Sequence, residues 1–439
     1  MNPGKLETAQ LLSAHPFLKE KLRKKEQYIR ALDYFAQKFS ADDIWAEQTL
    51  QLYAHKFLGL HEPYAHQNFD FTVQSSKKLR TFSLFIYRYC FLMDAVYLCA
   101  YQDKEKGEKI FTEFATMYNA RSKGRMRKVF DFLYDTSSPI PKLSQIGDMA
   151  KCWKENCEFT SKEPYKIIVT ANMSAGKSTL LNAMVGRRIS KTQNDACTAK
   201  IHYIENKPYD DGYCYELDHD LVLDANSDIL MDDNPNNRSP EIRVGTYFRS
   251  PFSSGKRIWL IDTPGVNSAE NADHREITEK AITYSNADLM VYVLNGTNIG
   301  TEDDLRHLKF VLQNYHKKIL FVVNKVDRFK TKEDSISKML QDATEDLKRI
   351  GFTSPCVVPV SAYAAYLARM HSFQEYLDED AMDERDLFIH KLKKSEYQLD
   401  MYYPKSVKEK LSVQTESDDG MLLLHSGLLS LEDMIYNMR

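Results

Sequence analysis

The feature that most constrains this chain is the stretch "TANMSAGKSTLLNAMVG", residues 170–186, set directly behind the mostly apolar run 165–169. A short β-branched strand (Ile167, Ile168, Val169), a polar turn and an amphipathic helix (Leu180, Leu181, Met184) that stops at Gly186 make a strand–loop–helix unit. The turn reads Ala-x-x-x-x-Gly-Lys-Ser from Ala171 to Ser178, with alanine where the stricter phosphate-binding pattern has glycine. In such a turn Gly176 lets the backbone fold around an anion. Successive N–H groups from about Met173 to Ser178 then form a nest at a helix N-terminus. The candidate phosphate loop is therefore Asn172, Met173, Ser174, Ala175, Gly176, Lys177, Ser178 and Thr179. Lys177 supplies a positive charge at the β- and γ-phosphates, and the Ser178 hydroxyl suits Mg²⁺.

Three further strand ends carry complementary chemistry. "RIWLIDTPG", residues 257–265, is a buried-strand pattern that puts Asp262 at the carboxyl edge of a parallel sheet, where it suits a Mg²⁺-bound water. The Gly265 N–H is then placed to sense a γ-phosphate. "KKILFVVNKVD", residues 317–327, ends in Asp327, whose carboxylate suits the N1–H and 2-amino group of guanine, two donors that adenine does not present together. Asn324 fixes that loop, and the Lys325 stem is expected to lie across the base. "CVVPVSAY", from Cys356, carries Ser361 and Ala362, whose backbone is expected to meet the guanine O6. The implied ligands are GTP and GDP with Mg²⁺.

In this order the motifs resemble the translation-factor class of P-loop GTPases and, within it, the large dynamin-like group, bacterial members above all. The resemblance implies an α/β domain with a mostly parallel sheet flanked by helices, and hydrolysis of GTP. It also implies a switch threonine, placed at Thr198 in "NDACTAKIHYI", that ligates Mg²⁺ beside Ser178 when GTP is bound. Val266 follows Asp-Thr-Pro-Gly where a Ras-like enzyme carries a water-positioning glutamine, and valine cannot orient a water. By resemblance, hydrolysis then draws on dimerisation across the nucleotide face and on a monovalent cation, K⁺ or Na⁺, held at Ser174. The implied catalytic set is Lys177, Ser174, Thr198 and Gly265. Met173 stands where eukaryotic dynamins have a glutamine, which implies a bacterial-type site with slow turnover.

Residues 1–160 read as an all-helical domain, and 161–439 as the GTPase domain with a charged, helical insertion at about 371–420 that is too polar to be core. In the helical part, Ser40 to Asp43 suit a helix start, residues 137–141 a break, and the apolar residues recur at helical spacing. The stretch 84–101 is long and apolar, but Arg88 and Asp94 interrupt it, so a buried bundle helix is expected rather than a membrane span. Residues 1–30 are too charged for a secretory leader, and seven cysteines without paired metal spacing fit a reducing cytosol. His202, His219 and Asp220 raise a metal site, but the sixty or so residues between Thr198 and Asp262 read better as an insertion forming a solvated hairpin.

A net charge of −3 makes a nucleic-acid partner unexpected, and the one basic cluster, residues 121–128, reads as a solvated helix end. Two function classes stay open. One is a dynamin-like GTPase that couples nucleotide state to homodimerisation and helical-domain movement at an anionic membrane surface. The other is a cytosolic GTP-gated switch whose helical domain binds a protein partner.

Overall fold

The structure, a computed structural model, describes residues 12, 15–60, 62–67, 86–101, 103–116, 118–139, 141, 143, 146–172, 174–190, 200–218, 221–231, 241–265, 272–298, 300–329, 335–404 and 417–438. It divides into two compact units, one of residues 1–163 with 208–216 and 220–224, the other of residues 164–207, 217–219 and 225–439.

The first unit is built on the helices Leu22–Ser40, Ile44–Leu58, Arg88–Ala100, Lys104–Ala115, Ala120–Tyr134 and Gly147–Thr160. Short polar side chains start several of them: Asp43 accepts from Trp45 N–H and Asn119 from Ser122 N–H, each satisfying a first-turn donor. The helix Arg88–Ala100 buries every residue from Tyr89 to Ala100, which answers the expectation for this stretch over its described part. Its Asp94 does not mark an exposed break. The carboxylate is fully buried and satisfied by Tyr28 Oη, by Tyr53 Oη at 2.8 Å and by His15 Nε2 at 2.9 Å. No helix among the described residues is long and apolar enough to cross a membrane.

The basic cluster at 121–128 lies at the N-terminal end of the helix Ala120–Tyr134, with Arg121, Lys123, Arg125 and Lys128 exposed. There Arg127 forks onto Glu108 at 2.7 and 2.8 Å, and its guanidinium lies 5.0 Å from the Phe130 ring.

The second unit carries the strands β1 (Tyr165–Ala171), β2 (Ile201–Asn206), β5 (Glu241–Thr246), β6 (Ile258–Asp262), β7 (Leu289–Asn295), β8 (Lys318–Asn324) and β9 (Cys356–Val360); the short strands β3 (Tyr215–Leu217) and β4 (Leu221–Val222), between β2 and β5 in the chain, fall in the first unit apart from Leu217. From β5 onward the order is β5-β2-β6-β1-β7-β8-β9. All neighbours run parallel except β2 and β6. Strands buried on both faces read as continuous apolar runs, and 167–169, 258–261 and 319–323 do so.

Two expectations change here. Residues 201–206 and 241–246 are strands of this sheet rather than a solvated hairpin, with His202 in register with Asp262; His219 and Asp220 lie outside the described residues. The described part of 371–420, residues 371–404 and 417–420, is not too polar to be core. Its helix Glu379–Leu392 is followed by residues 1–5% exposed, Leu399 and Tyr403, and Tyr403 Oη donates to Pro359 O at 2.8 Å. Most of the helix's charged side chains are exposed, but Arg385 is buried against Asp419.

Candidate nucleotide site

Register builds the site. Val169 pairs with Asp262, Ala171 with Val293, Asn295 with Asn324 and Asn324 with Val360, so the carboxyl ends of β1, β6, β7, β8 and β9 share one edge. In open α/β sheets that edge is where ligands bind.

On the phosphate side, β1 feeds a turn in which Ser174 (φ 59°) and Gly176 (φ 87°) are both left-handed, and Ala175 N–H reaches back to Asn172 O at 3.3 Å. Glycine is required at 176 for a second reason, because a Cβ there would lie 2.3 Å from Asn324 Nδ2. The helix Lys177–Val185 starts at once, so the N–H groups of Lys177, Ser178 and Thr179 have no acceptor within the helix and carry the positive end of its dipole. Lys177 Nζ pairs with Asp262 Oδ1, and Ser190 Oγ lies 3.3 Å from Asp262 Oδ2. Asn172 is buried, yet neither end of its amide has a partner among the described residues. The loop thus gathers N–H donors, a cation and an orphaned buried amide, a donor set that fits a phosphate. Ser178 and Asp262 offer the hard oxygens Mg²⁺ takes alongside phosphates and water.

The floor under the loop is polar as well. Thr170 Oγ1 lies 2.9 Å from His307 Nε2, and burial, with the Arg275 charge second, pushes the His307 imidazole down to about 4.

On the base side, Asn324 is the keystone. Its Nδ2 donates to Ala175 O at 2.8 Å, its Oδ1 accepts from Ala362 N–H at 2.9 Å, and its carbonyl accepts from Gly296 N–H at 2.8 Å. Ser361 Oγ donates to Asp327 Oδ1 at 2.8 Å. Lys325 sits at φ 66°, and burial, with Arg328 second, holds its ammonium below the usual lysine range.

Ser361 and Ala362, whose backbone is expected to meet the guanine O6, are fixed in place by hydrogen bonds of their own. Ser361 N–H is bonded to Ser426 O at 2.9 Å and Ala362 N–H to Asn324, so these residues serve the loop first by shaping it.

Gly265 is half-buried just past β6, next to Pro264, whose carbonyl accepts from Thr278 Oγ1 at 2.9 Å. Met173, Thr198 and Val266 lie outside the described residues.

Sequence reasoning missed two residues. Asn182 accepts from Ile189 and Ser190 N–H and donates to Ser190 O, all at 2.9 Å, and so fixes the segment that follows the phosphate-loop helix. Gly296 lets β7 approach the base loop, since a Cβ would lie 2.8 Å from Asn324 O. The only signal for either was polarity or glycine at the end of an apolar element.

The chain matches the Dynamin family over residues 167–326. It is 26% identical over 210 residues to the probable transmembrane GTPase FZO-like, chloroplastic, of Arabidopsis thaliana, covering 47% of this chain and 20% of that one. It is 26% identical over 172 residues to dynamin-like protein A of Bacillus subtilis, covering 38% and 14%. Among solved structures, Era of Aquifex aeolicus bound to GDP and AlF4⁻ is 19% identical, with a TM-score of 0.27, over 45% of this chain and 50% of that one. The matches thus span less than two thirds of each of these relatives.

Proposed function

We propose that the chain is a dynamin-family P-loop GTPase that binds GTP and GDP with Mg²⁺ and hydrolyses GTP to GDP and phosphate, a reading supported by the family match over residues 167–326 and by the GTPase relatives. The observation that carries this reading is the Asn324 side chain, bonded to the phosphate loop at Ala175 and to the base-side turn at Ala362. It joins the two halves a nucleotide spans. Asp327, held by Ser361, keeps an acceptor pair for guanine N1–H and the 2-amino group.

Phosphate binding asks Lys177 to exchange the Asp262 carboxylate for phosphate oxygens, which frees Asp262 toward the metal. Mg²⁺ would be held by Ser178, with Asp262 beside it and Thr198 added in the GTP state, and it would neutralise charge on the phosphates. Catalytic roles for Lys177, Ser174, Thr198 and Gly265 belong to this proposal. Ser174 is exposed at the loop tip, a position suited to a monovalent cation that offsets transition-state charge. Coupling of the cycle to homodimerisation, to movement of the helical unit and to an anionic membrane surface extends the same reading.

GTP turnover measured over a wide range of enzyme concentration in K⁺, Na⁺ and N-methylglucamine tests the proposal. We expect specific activity to rise with enzyme concentration and to need the small cation. Turnover independent of both would favour a switch gated by a protein partner.

A further inference from the structure

The charged stretch that follows β9 plays no part in the reading above, yet one of its side chains reaches the base-recognition loop. Lys391, in the last turn of the helix Glu379–Leu392, donates from Nζ to the carbonyl oxygens of Asp327 and, at 3.3 Å, of Phe329. The same ammonium lies 4.6 Å from the Tyr397 ring centroid. Those two carbonyls belong to the 3₁₀ turn Val326–Arg328 and its cap, the end of a helical turn where C=O groups lack internal partners and a cation is favoured. Asp327 is therefore gripped twice, at its carboxylate by Ser361 and at its main chain by Lys391.

The helix that carries Lys391 is itself anchored. Asp378 accepts from Ala381 N–H at 2.8 Å at its start. Arg385 Nε donates to Asp419 Oδ1 at 2.7 Å, and the other oxygen of Asp419 lies 2.6 Å from His371 Nδ1. Tyr363 Oη donates to Glu384 at a short distance. Tyr363 and His371 stand near the two ends of the helix Ala362–Ser372, the element that opens directly after Ser361. One helix thus supplies the Ser361–Ala362 turn at its start and the seats for the element that holds the loop from the opposite side.

We infer that the helix Glu379–Leu392 is a brace for guanine recognition and that Lys391 is the positioning residue through which it fixes Asp327. The inference rests on the guanine-nucleotide reading of the site. A carboxylate that must meet two donors on one base edge needs its main chain fixed, because two directional bonds fail together when the loop swings. Loss of the brace therefore costs discrimination more than it costs phosphate binding.

The test is displacement of a fluorescent GDP by GDP, inosine diphosphate and ADP from the wild-type chain, Lys391→Met and Lys391→Arg, with a thermal melt of each. Inosine diphosphate lacks the 2-amino group and so reports one of the two Asp327 contacts. The preference for GDP over inosine diphosphate should fall about tenfold in Lys391→Met, and Lys391→Arg should restore most of it. An unchanged preference in Lys391→Met overturns the brace. So does an equal weakening of both nucleotides together with a lowered melting temperature, which would make Lys391 a general structural contact. A wild-type chain that binds GDP and ADP alike overturns the guanine reading itself, and the brace with it.

Discussion

The two halves of the site are built differently. On the base side, Asn324, Asp327, Ser361 and Ala362 are already tied to one another or to the phosphate loop by hydrogen bonds of 2.8–2.9 Å. On the phosphate side the two charged groups proposed to serve phosphate and metal, Lys177 and Asp262, are paired with each other, and the buried amide of Asn172 has no partner among the described residues. A preassembled base pocket gives selectivity without reorganisation, whereas a phosphate loop whose ion pair must open makes binding depend on the incoming charge. Selectivity and affinity should therefore separate by mutation.

The largest separation is expected at Asp327. Asp327→Asn should reverse the preference between GTP and xanthosine triphosphate, a swing of about ten-thousandfold in the affinity ratio, as for other sites built around a specific hydrogen bond. Competition binding with both nucleotides measures it, and a ratio that stays in favour of GTP would remove Asp327 from base recognition. Lys177→Ala should weaken GDP and GTP by about a thousandfold while leaving the choice of GDP over ADP intact, since it removes charge-assisted bonds to phosphate alone. Isothermal titration at high protein concentration reads both quantities. Loss of base preference in that variant would show that the halves are not separable.

The floor of the phosphate side makes a pH prediction. His307 titrates near 4 when folded against about 6.5 when unfolded, so on acidification the unfolded chain takes up its proton first. Stability from this group is present above about pH 6.5 and is lost as pH falls toward 4, by up to about 3 kcal/mol. Urea unfolding at pH 7.5 and 4.5 should show that much less acid sensitivity in His307→Gln. Equal sensitivity would mean that the buried imidazole is not what titrates.

The smallest effect expected is at Ser174. Its φ of 59° makes glycine the cleaner replacement, because Ser174→Gly removes the hydroxyl without straining the turn. Turnover in K⁺ relative to N-methylglucamine should fall about tenfold, with GDP affinity nearly unchanged. A cation response retained in full would place the monovalent ion elsewhere.

What was legible in the sequence follows from how local each contact is. The phosphate loop and the Asn-Lys-Val-Asp turn are contiguous strings at the ends of apolar strands, so their chemistry could be read in place, as could the buried helix Arg88–Ala100; the helix start at 40–43 was legible too, although Ser40 closes the preceding helix and Asp43 is the cap. Lys391 could not be read, because its acceptors lie more than sixty residues away in a turn whose carbonyls leave no mark on the sequence. The same holds for Gly296, whose reason for being glycine is the carbonyl of Asn324. Asp94 was visible as a charge in an apolar run, but not as the acceptor of two tyrosines. Charge density misled at 371–420, where Leu399 and Tyr403 are buried and so are the charged Arg385, Asp400 and Asp419. The antiparallel pairing of β2 with β6 has no local signature either.

The most direct test of the central claim, that a preassembled base pocket selects guanine before the phosphates are engaged, is competition for a fluorescent GDP by GTP, GDP, ATP and free guanosine in the presence of Mg²⁺. GTP and GDP should displace the probe, ATP should not at the same concentrations, and guanosine should displace it weakly but measurably more than adenosine. Displacement by ATP equal to that by GTP would contradict the claim.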